Sequence, residues 1–334
     1  MSRLNFCTLF DSNYLSRGMV LYDSLVEHCP DFHLYVFAFN DMACEVLKKL
    51  NPAHLTLISL SEFEDPELLA IKPGRSRAEY CWTCTSSTIR YVLDHFEVEN
   101  CTYLDADMRF YSNPQVLIDE MENSGKSVLI TAHRYTRRYD QSRLRGKYCV
   151  QFMYFKNNTE GREVLSWWRA RCIEWCYARV EDGKFGDQKY LDDWTTRFPS
   201  VHELQHPGGG IAPWNCQQFI FKQDGNRILV SETGDAAFYP AVFFHFHGLK
   251  VYENDQALFA PRSYERSEAV NKLFYRPYLR EMLKKGRELN VLFPGMDFHA
   301  RGSLGQFRKE KWLVGHYSWL KRNVWGRIFP PPLA

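Results

Sequence analysis

The sequence predicts an α/β protein in which helices flank a Rossmann-like mixed sheet. Short apolar runs alternate with segments of helical periodicity through the first half of the chain, a rhythm typical of β–α–β units. The 334 residues are 45% hydrophobic, which is enough to bury a large core. The rhythm stops near residue 250. We therefore expect an α/β domain over residues 1–250 and a mainly helical, basic extension over residues 251–334.

The individual elements follow in chain order from the same two patterns. Continuous apolar runs predict buried strands, and apolar residues spaced by three and four positions predict helices. The predicted strands cover residues 5–10, 34–39, 55–60, 103–104, 127–132 and 150–155, with one more beginning at Phe243. The predicted helices cover residues 19–26, 43–50, 85–96, 162–180 and 267–289, the last with an interruption near Pro277.

Composition and charge argue against two classes of function. The net charge is only +2, which indicates no nucleic-acid partner. No apolar run approaches the ~20 residues of a membrane-spanning helix, and the amino terminus shows no signal-peptide pattern. We expect a cytoplasmic protein whose ten cysteines are free thiols packed in the core.

Two acids, Asp105 and Asp107, follow the predicted strand at 103–104. Ligands of open α/β sheets bind outside the carboxyl ends of the strands, and carboxylate oxygens suit Mn²⁺ or Mg²⁺. Such an ion commonly bridges a diphosphate. An aspartate at the end of a strand also caps turns, so this pair by itself fits either a metal site or an ordinary turn.

Later segments contribute further polar groups. His245 and His247 are two residues apart, which places them on one face of a strand, and either suits a metal beside two aspartates. Residues 134–147 carry six basic side chains and one acid, which fits a solvated loop or a loop that closes over phosphate. The glycine run 208–210 fits a turn or a close backbone approach to a ligand.

The tail over residues 301–327 combines seven basic residues with interleaved tryptophans. Two interpretations fit this composition equally well. One is an amphipathic helix packed on the main domain. The other is peripheral contact with the inner face of the cytoplasmic membrane.

Six segments, taken in order, resemble the GT-A-fold glycosyltransferases, the family that contains glycogenin and bacterial lipopolysaccharide galactosyl- and glucosyltransferases. The resemblance is greater to the cytoplasmic glycosyltransferases encoded among bacterial surface-polysaccharide genes. The segments that carry it are 8–14, 79–85, 103–107, 186–189, the glycine run and 245–248. Together they span roughly residues 4–250, and the tail gains no support from them.

The resemblance implies a metal-dependent hexosyltransferase with a UDP-sugar as donor and a cell-surface glycan or lipid-linked oligosaccharide as acceptor. It implies that Asp105, Asp107 and a histidine, His245 or His247, bind Mn²⁺ or Mg²⁺. It places Asp105 near the nucleotide sugar as well. The remaining implied contacts are Thr8, Asp11 and Tyr14 with the base and ribose, Gly248 and Lys250 with the diphosphate, and Asp187 and Gln188 with the transferred sugar.

The implied site departs from the family pattern at Lys250, and it leaves the role of Asp187 open. Lys250 comes one residue earlier than the family pattern has its lysine. In an inverting enzyme, Asp187 would be the base that takes the acceptor proton. In a retaining enzyme, Asp187 or Gln188 would stabilise the cationic sugar. The resemblance favours the retaining mechanism. Arg90 lies off the apolar stripe of its predicted helix and is a further candidate for cofactor binding.

Two other functions compete with sugar transfer. An Asp-x-Asp motif after a strand also occurs in phosphohydrolases that use an aspartate nucleophile, but those carry the motif near the amino terminus. Here a complete nucleotide-like half precedes it. A non-catalytic glycan-binding protein on the same fold is the second alternative, and the presence of the aspartate pair, the histidines and Asp187 argues against it.

Overall fold

The computed structural model describes residues 3–261 and 264–320. The strands are β1 (Leu4–Phe10), β2 (Phe32–Ala38), β3 (Leu55–Ser59), β4 (Asn100–Leu104), β5 (Met108–Phe110), β6 (Val128–Ala132), β7 (Tyr148–Lys156), β8 (Val201–Glu203), β9 (Phe219–Asp224), β10 (Arg227–Glu232), β11 (Tyr239–Pro240), β12 (Phe243–His245), β13 (Lys250–Val251) and β14 (Ala257–Leu258). The α-helices are α1 (Leu15–His28), α2 (Asp41–Leu50), α3 (Leu60–Phe63), α4 (Pro66–Ile71), α5 (Arg77–His95), α6 (Gln115–Asn123), α7 (Ser142–Arg145), α8 (Thr159–Glu174), α9 (Trp194–Arg197), α10 (Glu268–Val270), α11 (Arg276–Leu292) and α12 (Leu304–Leu320).

Short turns of other helix types join these elements. The 3₁₀ turns are Ser12–Tyr14, Lys72–Gly74, Arg137–Tyr139, Lys189–Asp193, Cys216–Gln218 and Glu253–Asp255, and one π-helical turn covers Asn271–Tyr275. None of the helices in the described part of the chain has the length and apolar character needed to cross a membrane.

The central sheet has seven strands in the order β3-β2-β1-β4-β7-β6-β8. The first four are parallel to one another, whereas β7 runs antiparallel to both β4 and β6. The predicted mixed α/β sheet is therefore confirmed. The chain moves outward from β1 to β3 and then returns to place β4 on the other side of β1, so the strand order reverses between β1 and β4. Ligands of open α/β sheets bind at such a reversal.

Helices cover both faces of this sheet, which explains why its strands read as continuous apolar runs. Side chains alternate between the faces along each strand. In β1, Phe6 packs in the cluster that contains α1 and α2, whereas Cys7 packs in the cluster that contains α5 and α8. Because β1 and β4 are adjacent and parallel, the loops that follow them begin next to each other at the carboxyl-terminal edge of the sheet.

The carboxyl-terminal part is helical as predicted, and it packs on the first part of the chain. Val251 and Phe274 belong to one buried cluster with Val20 of α1 and Phe244 of β12. Near Pro277, where the sequence predicts an interruption, a π-helical turn passes directly into α11, and Tyr275 and Arg276 keep right-handed helical dihedrals across the junction. The domain boundary near residue 250 stays a prediction.

Two predicted helices have different limits in the structure. The helix predicted to begin at residue 85 begins at Arg77, because the side chains of Ser76 and Glu79 form a reciprocal capping box at its first turn. The helix predicted to reach residue 180 ends at Glu174. Cys176 therefore lies beyond the helix that carries Cys172, although both thiols are buried.

Candidate active site

The two aspartates are brought to a histidine by a short antiparallel pair beside the main sheet. Asp105 directly follows β4, and its backbone N–H donates to the carbonyl of Gln151 on β7 at 3.1 Å. Asp107 precedes β5, which pairs antiparallel with β12 so that His245 lies opposite Met108. This pairing joins residues separated by more than a hundred positions in the sequence.

His245 is oriented so that one ring nitrogen faces both carboxylates. Its Nε2 atom lies 3.1 Å from Oδ1 of Asp107 and 3.7 Å from Oδ2 of Asp105. Its Nδ1 atom lies 2.7 Å from Oε1 of the buried Gln151, an acceptor, so Nδ1 carries a proton and donates it. In the neutral ring the lone pair is then on Nε2, the nitrogen that faces the carboxylates.

The surroundings of this group move the pKa values of the two carboxylates in opposite directions. Burial raises the pKa of Asp105 to about 6, and the opposing effect of His245 offsets this only in part. Burial also acts against ionisation of Asp107, but the attraction of His245 outweighs it and holds that pKa at about 2. Two carboxylates and an imidazole nitrogen are a donor set that divalent ions accept. The residues fit a metal ion.

These groups lie at one side of a cavity of about 470 Å³ at the reversal of the strand order. The carboxyl end of β1 and the first turn of α5 form a second side, with Asp11, Tyr14 and Arg77. Aromatic rings line much of the rest, namely Trp82, Tyr135, Phe185, Trp214 and Tyr264. The cavity thus combines acidic groups on one side with aromatic walls suited to stacking against flat or sugar rings.

Asp187 lines the same cavity and is only 6% exposed. Its backbone carbonyl accepts a hydrogen bond from Nε1 of the buried Trp168 at 2.9 Å, which fixes the segment. Burial, with the negative charge of Asp105 adding to it, raises the pKa of Asp187 to about 7. A carboxyl group with that pKa exchanges protons near neutral pH.

Most of the site residues predicted from the sequence line this cavity. They are Asp11, Tyr14, Asp105, Asp107, Asp187, Gln188, His245 and His247. His247 lies just beyond the end of β12 and is exposed, with its ring 5.6 Å from that of Trp214, whereas the sequence predicted it on the strand beside His245. His245 faces the two carboxylates, and His247 is a second imidazole in the cavity wall.

Four predicted contacts lie elsewhere among the described residues. Thr8 is fully buried within β1, and Gly248 packs against Pro261 with φ +73°. Lys250 is an exposed residue of β13 whose ammonium group is paired with Glu310 of α12 at 2.9 Å. Arg90 points into a second, smaller cavity of about 200 Å³ and pairs with Asp94. The structure therefore does not bring these four to the aspartates.

Several residues of the site were not predicted as such. Arg145 belongs to the basic segment 134–147, and it lines the cavity with its guanidinium 5.4 Å from the ring of Phe185. Arg77 forms an ion pair with Asp11. Cys149 and Gln151 lie on β7, where an apolar run gave no reason to single them out. The charge of the basic segment was a usable signal for Arg145.

The glycine run approaches protein atoms. A Cβ on Gly208 would lie 2.0 Å from the carbonyl oxygen of Pro240, and one on Gly210 would lie 2.8 Å from the methyl group of Thr131. Gly210 also has φ +87°, a backbone conformation that favours glycine. Of the two interpretations left open by the sequence, the turn is the one that these contacts support.

The fold and the site define a mixed α/β protein with a carboxylate–imidazole centre at the strand reversal. The chain is 31% identical over 301 residues to the uncharacterised protein YfnD of Bacillus subtilis (strain 168), and the match covers 88% of this chain and 93% of YfnD. It is 31% identical over 252 residues to the uncharacterised protein YfnF of the same strain, covering 74% and 82%. The chain belongs to the family of YfnD and YfnF. No protein-family model matches it.

Among solved structures, the chain is similar to the galactosyltransferase LgtC in complex with donor and acceptor sugar analogues, with 12% identity, a TM-score of 0.49 and coverage of 84% of this chain and 96% of LgtC. It is also similar to the apo form of mouse xyloside xylosyltransferase 1, with 12% identity, a TM-score of 0.44 and coverage of 64% and 87%. Likeness at this level carries no argument about function, which has to come from the site itself.

Proposed function

We propose that this chain is a metal-dependent glycosyltransferase that moves a hexose from a nucleotide diphosphate sugar to a hydroxyl acceptor, with a UDP-sugar as the expected donor. The observation that carries the proposal is the convergence of Asp105, Asp107 and His245 with Asp187 in one cavity. The first three form a cation site. The fourth is a reactive carboxyl group with a pKa near neutrality.

Asp105, Asp107 and Nε2 of His245 would hold Mn²⁺ or Mg²⁺. When bound, such an ion acts as a Lewis acid that neutralises charge on the leaving diphosphate. The protein prepares this site by partly burying both carboxylates and by holding the buried imidazole through Gln151. The charges are thus fixed in place before the donor arrives, which is the arrangement that electrostatic catalysis requires.

The nucleotide has a fitting surface on the side formed by β1 and α5. The ring of Tyr14 is 42% exposed in the cavity wall, and the guanidinium of the buried Arg17 lies 4.6 Å from its centre. Asp11 accepts from the backbone N–H of Asn13 at 2.8 Å and pairs with Arg77, so its carboxylate is held rigidly. We assign Tyr14 to the base and Asp11 to the ribose hydroxyls.

Arg145 is the cation that fits the diphosphate in this proposal. It is exposed in the cavity, and no acid among the described residues forms an ion pair with it. Lys250, which the resemblance implied for this role, is paired with Glu310 outside the cavity lining. A guanidinium can also bind two phosphate oxygens at once, which an ammonium group does less well.

Asp187 and Gln188 are the candidates for the transferred sugar. Gln188 is held by its side-chain N–H, which donates to the carbonyl of Arg145 at 2.6 Å. In a retaining reaction these two groups stabilise the positive charge that develops on the sugar, and in an inverting reaction Asp187 takes the acceptor proton. Trp214 and Tyr264 offer rings for the acceptor, for which we propose a surface glycan or a lipid-linked sugar.

Thermal unfolding with a panel of nucleoside diphosphates, each with and without Mn²⁺, tests this function. A ligand that binds the native state raises the melting temperature, so we expect a shift with UDP that requires the metal. Asp107→Asn should abolish the shift. Asp224→Asn, which changes an exposed aspartate of β9, should retain it. A wild-type protein that responds to no nucleoside diphosphate in the presence of metal would refute the proposal.

A further inference from the structure

We infer that Cys149 is a further protein ligand of the metal, and that its sulfur makes the site select thiophilic transition ions over Mg²⁺. This inference rests on the metal dependence in the proposed function, and it adds a ligand that neither the sequence motifs nor the resemblance implied. It concerns which ion the site takes. Its test requires neither nucleotide nor sugar.

The position of the sulfur is the first argument. One ligand atom each of Asp105, Cys149 and His245 lie within 4.8 Å of one another. Metal–nitrogen, metal–oxygen and metal–sulfur bonds are about 2.0–2.3 Å long, so two donors on one ion are separated by roughly 3–4.5 Å. A single ion between these three groups therefore reaches all of them with small side-chain adjustments.

The strand that carries Cys149 provides the second argument. Cys149 and Gln151 are two residues apart on β7, and side chains with that spacing project from the same face. Gln151 binds Nδ1 of His245 from this face, so Cys149 approaches the same imidazole. Cys149 is 4% exposed and lines the cavity, which makes it accessible to an ion but largely shielded from solvent.

The surroundings of the other cysteines set Cys149 apart. Of the ten described cysteines, Cys149 is the one whose sulfur belongs to a group of possible metal ligands. Cys7 and Cys101 are fully buried within the sheet, where small apolar packing explains them. Cys81 lines the same cavity from α5 without joining the group. It is therefore a natural control.

The chemistry of binding is balanced without any oxidant. The S–H bond of Cys149 breaks, a sulfur–metal bond forms, and the proton passes to water. Thiolate is a soft ligand that suits Zn²⁺ or Co²⁺, whereas Mg²⁺ is bound by oxygen ligands and gains little from sulfur. A site that includes carboxylate, imidazole and thiolate ligands should thus bind transition ions far better than Mg²⁺ and lose much of this preference when the sulfur is removed.

Cobalt spectroscopy on the full-length protein tests the inference. A Co²⁺ ion bound by thiolate shows a sulfur-to-metal charge-transfer band in the near ultraviolet, and a site with only oxygen and nitrogen ligands does not. We expect this band in the wild type and in Cys81→Ser, and its loss in Cys149→Ser. The Zn²⁺ affinity should fall at least tenfold in Cys149→Ser, with a smaller change for Mn²⁺. Far-ultraviolet circular dichroism and a parallel Cys149→Ala variant check that the fold is kept.

The outcomes separate this inference from the proposed function. Co²⁺ binding without the band in the wild type, or a band that survives in Cys149→Ser, would overturn the role of Cys149. A wild type that binds no Co²⁺ would overturn both the ligand assignment and the metal dependence. A sulfur-dependent band in a protein that binds no nucleoside diphosphate would leave Cys149 as a ligand and refute the glycosyltransferase.

Discussion

Gln151 holds two of the proposed metal ligands without being a ligand itself. Its side-chain oxygen accepts from Nδ1 of His245, and its backbone carbonyl accepts from the N–H of Asp105. The same residue therefore orients one expected ligand and holds the backbone of another. Its side-chain nitrogen is buried and has no hydrogen-bond partner among the described residues, so the amide is retained here at an energetic cost.

Replacing Gln151 should weaken metal binding in a way that depends on the acceptor oxygen. In Gln151→Leu the ring of His245 loses the bond that fixes its proton on Nδ1, and we expect a roughly 10–100-fold loss of Mn²⁺ affinity. Gln151→Glu keeps an acceptor at the same place and should bind the ion nearly as well as the wild type. Isothermal titration with Mn²⁺ measures both. If Gln151→Leu binds Mn²⁺ as tightly as the wild type does, Gln151 does not have this role.

At this scale the sequence predicts residues whose chemistry is unusual for their position. Asp105 and Asp107 are acids at the end of an apolar run, and His245 and His247 interrupt a second apolar run. All four were therefore predicted as candidate metal ligands. Gln151 and Cys149 did not, because a strand buried on both faces accepts small or satisfied polar groups without a function. Their importance depends on the contact of His245 on β12 with the side chains of β7, and the sequence alone does not show this tertiary contact. Lys250 illustrates the converse, since its partner Glu310 lies 60 residues away.

The segment that joins α11 to α12 is anchored through a buried histidine. His299 is 2% exposed, its Nδ1 atom lies 2.7 Å from the hydroxyl of Ser16 on α1, and its ring packs against Gly286 of α11. Its backbone carbonyl accepts from the guanidinium of Arg17, which also binds the carbonyl of Leu249. The carboxyl-terminal helices are thus attached to α1, the helix that follows the Asp11–Tyr14 side of the cavity.

This attachment should weaken in acid. Burial, together with the positive charges of Arg301 and Arg17, lowers the pKa of His299 to about 4, and Asp297 and Asp255 oppose this only in part. The unfolded state, with a pKa near 6.5, binds the proton first, so stability is present above that value and is lost as the pH falls through 4. The loss at pH 4.5 relative to pH 7 should be on the order of 2 kcal/mol.

Urea unfolding of the wild type and His299→Gln at the two pH values measures this contribution. The variant should show a smaller drop in the free energy of unfolding on acidification, even if it is less stable at pH 7. His95→Gln, which changes an exposed histidine at the end of α5, is the matched control and should behave as the wild type does. An identical acid dependence in His299→Gln would show that His299 does not hold the segment.

Elements were predictable where a local pattern decides them, and less so where packing does. The order of strands and helices through β4 follows from periodicity, and the capping box that starts α5 was readable at Ser76 and Glu79. The early end of α8 and the position of His247 beyond β12 depend on contacts between distant segments. For the tail, residues 321–327 lie outside the described residues, so the choice between packing and membrane contact stays a prediction.

The charges of the centre also affect the stability of the whole molecule. Asp105, with a pKa raised to about 6 against an ordinary value of 3.8, takes up a proton on folding in that range. The metal-free protein therefore loses stability as the pH rises from about 4 to 6, and above this both partly buried carboxylates are ionised. A bound cation should reverse this penalty, and it would join β4, β5 and β12 through Asp105, Asp107 and His245.

Removing the metal should therefore destabilise the native protein at pH 8, and replacing Asp105 should remove the effect. With the ion at 100 times its dissociation constant, the gain is about 2.7 kcal/mol, and a melting temperature higher by roughly 5 °C is expected. Asp105→Asn should respond little to Mn²⁺ or to EDTA, and without metal it should be at least as stable as the wild type, because the amide carries no charge to bury. Calorimetry of both proteins with Mn²⁺ and with EDTA decides the matter. If Asp105→Asn is clearly less stable than the metal-free wild type at pH 8, the ionised carboxylate is stabilised by the protein itself and needs no cation.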